Sequence, residues 1–301
     1  MVLTRPYVGR FAPTPSGALH LGSLVAALAS YLDAKSVAGK WLVRIEDLDP
    51  PRQIAGAADN ILRTLEGFGF DWDDEVFWQS KRSDAYEVII SKLINNGLAY
   101  ACSCSRKQLV NNVIYPNTCR DKLKSAKDAA IRVRTPNLEY QFEDRVQGLF
   151  IQKLAEEVGD FIIKRRDGLI AYQLAVVLDD AEQGINHVVR GADLLDSTPR
   201  QIYLQELLGF PMPNYLHIPT LVDSDGYKLS KSHCSPFITT NKASQLLVYA
   251  LQILGQKVEK DLVLEPPLQI LNWAITHWQS ESIPKKRIVI IEDKFSITTV
   301  S

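Results

Sequence analysis

The sequence predicts an α/β fold on a parallel sheet. Three observations carry this: strand-like and helix-like segments alternate through most of the 301 residues, the candidate ligand loops fall at strand ends, and one β-prone stretch interrupts the alternation as an insertion. With 46% hydrophobic and 23% charged residues the chain can bury a full-sized core, as one large domain or two modest ones.

YVGRFA has β character and runs into Pro13, Pro15 and Gly17. LGSLVAALASYLDAKSVAG, rich in Ala and Leu and closed by Gly39, reads as a helix, and WLVRIEDLD as a second apolar strand. This βαβ unit implies a right-handed crossover, with ligands at the carboxyl ends of its strands. Residues 55–68 and 83–96 read as further helices stopped by Gly67, Gly69 and Gly97, so 1–97 form the first half of a catalytic α/β domain. From 98 to 166 the character changes: a cysteine cluster is followed by AAIRVRT, YQFED and FIIKRR, all expected in one inserted subdomain.

The alternation resumes over 167–240. AYQLAVVLDDAEQGI reads as a helix or buried segment, HVVRGADLLD as a strand and loop, and TPRQIYLQELLG as a helix with its start signals at Thr198 and Pro199. Residues 241–301 contain two short amphipathic helices, QLLVYALQILG and LQILNWAITHW, a short helical C-terminal region.

No apolar run approaches the roughly 20 residues that span a bilayer, and the N-terminus lacks the apolar core of a secretion signal, so the expected compartment is the cytoplasm, with no membrane partner. The formal net charge of −1 gives no global attraction to a polyanion. A nucleic-acid partner would have to be met by local basic stretches, for which RDKLK, IRVR, KRR and KKR are candidates, although such runs also serve simply as solvated faces.

Two loops carry chemistry. RFAPTPSGALHLGS, from Arg10 to Ser23, joins a strand to a helix, so first-turn amides and the positive end of the helix dipole can face a phosphate. Gly17 and Gly22 permit close backbone approach, and His20 can donate to a phosphate oxygen as charge shifts onto a leaving group. KLSKS, from Lys228 to Ser232, places two ammonium groups on a loop preceded by Gly226, a candidate hinge. Of the four cysteines, Cys102, Cys104 and Cys119 fall within eighteen residues and Cys234 stands apart. Together with Tyr115 they could enclose a tetrahedral metal, and spacing alone leaves a metal-free cluster equally open. The acidic residues Glu46, Asp47 and Asp49 lie beside the first loop, and pairing with Arg44 and Arg52 on the surface is the alternative to a binding role.

The first loop resembles the R-F-A-P-[ST]-P-[ST]-G form of the first signature of class I aminoacyl-tRNA synthetases, and KLSKS resembles their second signature, about 200 residues later. IEDLDPPR and HVVRGADLLDSTPRQIYLQ are similar to the glutamyl-type enzymes, and the likeness covers most of residues 7–240. It implies a Rossmann-type parallel sheet with an inserted zinc-bearing subdomain and activation of glutamate with ATP and Mg. It also implies roles by position. His20, Lys228 and Lys231 would be catalytic. Pro13, Gly17, His20, Gly22, Ser23 and Lys231 would bind ATP. Arg10, Phe11, Ala12, Pro13, Thr14, Glu46, Tyr172 and Arg190 would bind glutamate, with Glu46 on the amino group and Arg190 on the side-chain carboxylate. Cys102, Cys104, Tyr115 and Cys119 would hold one structural zinc. Ser23 replaces the signature's second histidine, which shifts the phosphate work onto His20.

About sixty residues follow KLSKS, too few for an anticodon-binding domain. Together with Ser23 and the cysteine cluster, this brevity resembles the glutamyl-queuosine branch of the family, which activates glutamate without tRNA and transfers it to the cyclopentenediol of queuosine at the wobble position of tRNA(Asp). A compact enzyme charging a tRNA 3′ end, a non-catalytic tRNA-binding paralogue and a small nucleotidyltransferase are the competing readings.

Overall fold

The computed structural model describes residues 5–110, 114–122, 128–229 and 238–291. The first half contains β1 (Val8–Phe11), α1 (Leu21–Lys35), β2 (Lys40–Ile45), α2 (Ala57–Gly67), β3 (Phe77–Trp78) and α3 (Ser83–Asn95). The middle of the chain contains β4 (Ala99–Cys102), α4 (Arg106–Leu109), β5 (Ala130–Val133), β6 (Glu139–Asp144), β7 (Gly148–Lys153), α5 (Leu154–Glu157) and β8 (Ile162–Lys164). Then come α6 (Tyr172–Glu182), β9 (His187–Gly191), α7 (Thr198–Leu208), β10 (Asn214–Ile218), β11 (Thr220–Val222), α8 (Ala243–Ile253), α9 (Pro267–His277) and β12 (Ile288–Ile290).

β1, β2 and β3 are parallel neighbours, as are β9, β10 and β6. The halves meet where Asn186 N donates to Val8 O (3.1 Å) and Val8 N donates to Asn186 Oδ1 (2.8 Å), setting β1 beside β9. From that seam the chain order runs outward in opposite directions, which makes it a topological switch point with a crevice at the strand carboxyl ends.

α1 is buried nearly all round, with Leu24, Val25, Ala27, Leu28 and Leu32 among its covered residues. A helix apolar on every side needs a cover on every side. Here the sheet residues Phe11, Trp41 and Val43 share one apolar cluster with α1 and with Leu247, Leu251, Ile270 and Leu271 of α8 and α9. The C-terminal helices are therefore the outer wall of the element that carries the first loop.

Two features differ from the sequence expectation. The segment 98–166 divides: β4, β5 and β8 form a separate antiparallel sheet, whereas the β6–β7 hairpin joins the main sheet through β10. β6 alternates exposed and buried, with Tyr140, Phe142 and Asp144 inward, a pattern that marks a half-buried strand without saying which sheet it joins. The C-terminal region also holds a strand, β12, the last element among the described residues and parallel to β11. Among the described residues no helix is long and apolar enough to cross a membrane.

Candidate active site

At the seam opens a cleft of about 930 Å³. All described residues expected from the sequence to handle ATP or glutamate line it: Arg10 to Thr14, Gly17, His20, Gly22, Ser23, Glu46, Tyr172, Arg190 and Lys228. Lys231, with the rest of KLSKS from Ser230 onward and Cys234, lies outside the described residues. The first loop is tied to the end of β2 by Glu46 N donating to Pro13 O (3.0 Å).

His20 is the N-cap of α1, with extended backbone, and its Nδ1 accepts from Ser23 N at 3.2 Å. A ring nitrogen that accepts carries no proton, so in the neutral imidazole Nε2 bears the hydrogen. Ser23 Oγ sits 3.1 Å from Nε2, where it can take that hydrogen until a better acceptor arrives. The residue in place of the second signature histidine thus holds the first one in its donor tautomer. Gly22 leaves room for the His20 ring at this turn, since a Cβ there would lie 3.1 Å from His20 Cε1 and 3.2 Å from Nδ1 and would press the ring by a few tenths of an ångström. Burial, followed by the nearby Lys228 charge, lowers the His20 pKa from 6.5 to about 4. An NMR titration of His20 should therefore show a neutral ring throughout pH 6–8, and a midpoint near 6.5 would contradict the packing.

Lys228 Nζ pairs with Asp193 Oδ2 at 2.5 Å across the cleft mouth, and Asp193 N donates to Thr220 Oγ1 at 2.9 Å. Before it, Gly226 adopts φ +82°, a left-handed conformation that closes the 223–227 turn.

The cleft floor is an ion network. Arg10 contacts Asp180 through Nε (3.0 Å) and Nη2 (3.3 Å), and Arg44 Nη1 reaches the same carboxylate at 2.7 Å. Arg44 Nη2 then lies 3.4 Å from Glu46 Oε1. Burial pushes Glu46 upward, against the pull of Arg44 and Arg10. Burial also opposes ionisation of Asp180, but Arg10 and Arg44 outweigh it and hold that carboxyl below the ordinary range. The expected surface pairing of the acidic residues therefore applies to Asp49 with Arg52 (2.5 Å), whereas the Arg44 side chain is fully buried. Asp47 instead accepts from Ser80 N (2.8 Å) and Oγ (2.6 Å).

Arg190, buried at the cleft wall, is held by neutral groups. Nε donates to His217 Nε2 (3.0 Å), Nη1 to Tyr172 Oη (3.3 Å), and Nη2 to Thr198 Oγ1 (2.9 Å) and Gln201 Oε1 (2.7 Å). Among the described residues no carboxylate lies within ion-pair distance of it. A buried cation with only dipoles around it is poised for an anion. Sequence reading singled out Arg10, Glu46, Tyr172 and Arg190, which line the cleft together. It did not single out Asp180 and His217, whose sequence signal is a polar residue at or beside an apolar run, nor Thr198 and Gln201, which it read only as part of a helix start.

In the β4–β5–β8 unit the sulfurs of Cys102, Cys104 and Cys119 all lie within 4.8 Å of one another. Cys104 Sγ is 3.5 Å from Cys119 Sγ, and Tyr115 Oη is 3.3 Å from Cys102 Sγ and 3.8 Å from Cys104 Sγ. A tetrahedron with metal–sulfur bonds of about 2.3 Å has edges of about 3.8 Å, so this donor set fits a metal ion. Burial opposes ionisation at Cys119, yet hydrogen bonds from the Ser103 backbone, Cys104 and Tyr115 outweigh it and bring the thiol down to about 6. Nearby, the buried Asp160 accepts from Tyr100 Oη (2.6 Å) and Thr135 N (2.7 Å), which anchors the strands under the cluster.

The basic stretches are less free than their sequence suggests. Arg132 is buried with its guanidinium 3.8 Å from the Tyr115 ring centre, Lys164 pairs with Glu87, Arg165 with Asp167, and Arg287 with Asp196. Arg132 at least is a structural cation.

The family described as tRNA synthetases class I (E and Q), catalytic domain, matches residues 7–260. A protein named glutamyl-Q tRNA(Asp) synthetase in Pseudomonas syringae pv. tomato is 58% identical over 284 residues, 94% of this chain and 96% of that protein. One of the same name in Ectopseudomonas mendocina is 60% identical over 282 residues, covering 93% and 96%. Among solved structures, a glutamate tRNA ligase from Elizabethkingia meningosepticum has a TM-score of 0.76 at 22% identity over 94% of this chain and 66% of its own. The glutamate-tRNA synthetase of Elizabethkingia anophelis gives 0.79 at 22%, over 95% and 68%. At that identity the likeness is one of fold, and the chain spans about two thirds of these two proteins.

Proposed function

Because the chain belongs to the class I tRNA synthetases of the glutamate and glutamine type, we propose that it activates L-glutamate with ATP and transfers it to the cyclopentenediol of queuosine in tRNA(Asp). The observation that carries the first half is Arg190, a buried guanidinium with no anion among the described residues at the wall of the cleft. The near-full-length relatives named glutamyl-Q tRNA(Asp) synthetase support the second half.

In this reading the glutamate side-chain carboxylate meets Arg190 and Tyr172, its ammonium meets Glu46, and Arg10 to Thr14 line the substrate. The α-carboxylate oxygen attacks the α-phosphorus of ATP, and the bond to pyrophosphate breaks. His20 Nε2–H donates to the phosphate oxygens, and Lys228 and Lys231 follow the charge onto the leaving group, the place where preorganised donors lower a barrier. ATP is bound as its Mg complex, the ion neutralising phosphate charge. The queuosine diol, chemically like a ribose diol, then displaces AMP.

The test incubates the protein with ATP, labelled glutamate and tRNA(Asp) with or without queuosine, then cuts the RNA to locate label. Label on the wobble nucleotide, dependent on queuosine, supports the reading, and label on the 3′ adenosine overturns it. ATP–pyrophosphate exchange should proceed with glutamate alone.

Zinc is the ion assigned to Cys102, Cys104, Tyr115 and Cys119, closing the β4–β5 end of the insertion. Cys119→Ser should lose bound zinc and render the segment around 103–128 protease-sensitive while glutamate-dependent exchange persists. Folded protein that never carries zinc would contradict the assignment.

A further inference from the structure

We propose that Asp144 and His217 are positioning residues for the glutamate pocket: through one imidazole of fixed tautomer they aim Arg190 without neutralising it. This rests on reading the cleft as a glutamate site. The three side chains are buried in series. His217 Nδ1 lies 2.6 Å from Asp144 Oδ2, and His217 Nε2 lies 3.0 Å from Arg190 Nε. A guanidinium can only donate, so Nε2 must present a lone pair, and the ring hydrogen must sit on Nδ1, facing Asp144. Asp144 is pinned in turn: its Oδ1 accepts from Val146 N (3.0 Å), Gln147 N (2.9 Å) and His217 N (3.1 Å).

This arrangement has a consequence for specificity. A carboxylate placed directly on Arg190 would fix it equally well but would compete with the substrate's carboxylate. An intervening neutral imidazole moves the buried anion one ring away, so the guanidinium is oriented while its charge remains for the ligand. Thr198 Oγ1 and Gln201 Oε1 hold the other side of the fork as dipoles, which leaves the same charge uncancelled.

The isosteric change Asp144→Asn tests it. Oδ1 keeps its three backbone donors only if the new NH₂ takes the place of Oδ2. That NH₂ forces the ring hydrogen onto Nε2, against Arg190 Nε–H. In ATP–pyrophosphate exchange the glutamate KM should rise about ten- to a hundredfold, with the ATP KM changed by less than about twofold. The pair His217→Gln and His217→Asn separates positioning from packing. Gln sets an acceptor where Nε2 stood and should keep a glutamate KM near wild type. Asn satisfies Asp144 but leaves Arg190 Nε bare, and should raise the KM as Asp144→Asn does. If His217 merely satisfied the core, Asn would outperform Gln in KM as well as in thermal stability, and the relay would be overturned. An equal shift of glutamate and ATP KM in Asp144→Asn would overturn it too. If Asp144→Asn does not fold, the His217 pair decides. Wild-type protein that shows no glutamate-dependent exchange overturns the reading of the cleft itself, and the relay with it.

Discussion

Replacing Asp180 with alanine should cost about 3–5 kcal/mol of folding stability, enough to unfold much of the protein at 37 °C. Asp180 serves two buried cations at once: the side chains of Arg10, Arg44 and Asp180 are 3%, 0% and 8% exposed. Removing it leaves Arg44 with one carboxylate, Glu46 at 3.4 Å, and leaves Arg10 with no anion in ion-pair contact among the described residues. The cost is that of stranded charge rather than of one lost bond. Asp180→Asn, which keeps the acceptor oxygen and the shape, should fall between wild type and alanine.

The pH dependence gives a second handle on the same residue. The folded Asp180 carboxyl sits below its ordinary 3.8, so its contribution is present above that value and is lost as pH falls through the folded pKa. Its neighbour Asp179 has the opposite sign, since burial raises it despite Tyr86, Arg44 and Gln79. Acid unfolding of the wild type is thus a balance, and the difference from Asp180→Asn isolates one term. Because the loss begins only near and below 3.8, the gap in urea midpoint between the two proteins should hold nearly constant from pH 7 to pH 4 and narrow between pH 4 and about pH 3. A gap unchanged down to pH 3 would show that Asp180 is not the charge that matters.

Which parts of this were legible in the chain follows from range. The β1–α1–β2 unit and its loop were readable because Pro13, Pro15, Gly17 and the capping position of His20 act within a few residues of one another. The cysteine cluster was readable for the same reason, since Cys102 to Cys119 close locally. Arg10 and Asp180, 170 residues apart, and Asp144 and His217, 73 apart, meet only through strand register and helix packing. In β10 the pattern NYLHI shows a histidine among apolar residues, and nothing local says whether it faces water, core or a second charge. The hairpin β6–β7 was misplaced in the insertion because alternation fixes a strand's face and leaves its neighbours open. In the stretch IRVR the sequence could not show that Arg132 meets a buried ring, because a basic residue reads the same locally whether it faces solvent or core.

The second large effect is expected at Arg190. With glutamate as substrate, Arg190→Ala should lower kcat/KM in pyrophosphate exchange by about 10²- to 10³-fold, the scale of deleting one partner of a desolvated charge pair. With glutamine the loss should be far smaller, because a neutral amide gains little from a formal charge. The preference between the two should therefore collapse, and this ratio distinguishes a recognition role from general damage, which would lower both rates together. The truncation also leaves Tyr172, Gln201 and His217 without their common donor, so a thermal midpoint measured alongside is needed to normalise for folded protein. Arg190→Lys sharpens the test. It keeps the charge but cannot reach His217, Tyr172, Thr198 and Gln201 at once, so it should restore part of the glutamate preference and little of the rate. A variant that loses its guanidinium and still prefers glutamate would move recognition of the side-chain carboxylate elsewhere in the cleft, with Arg10 the next cation along the wall.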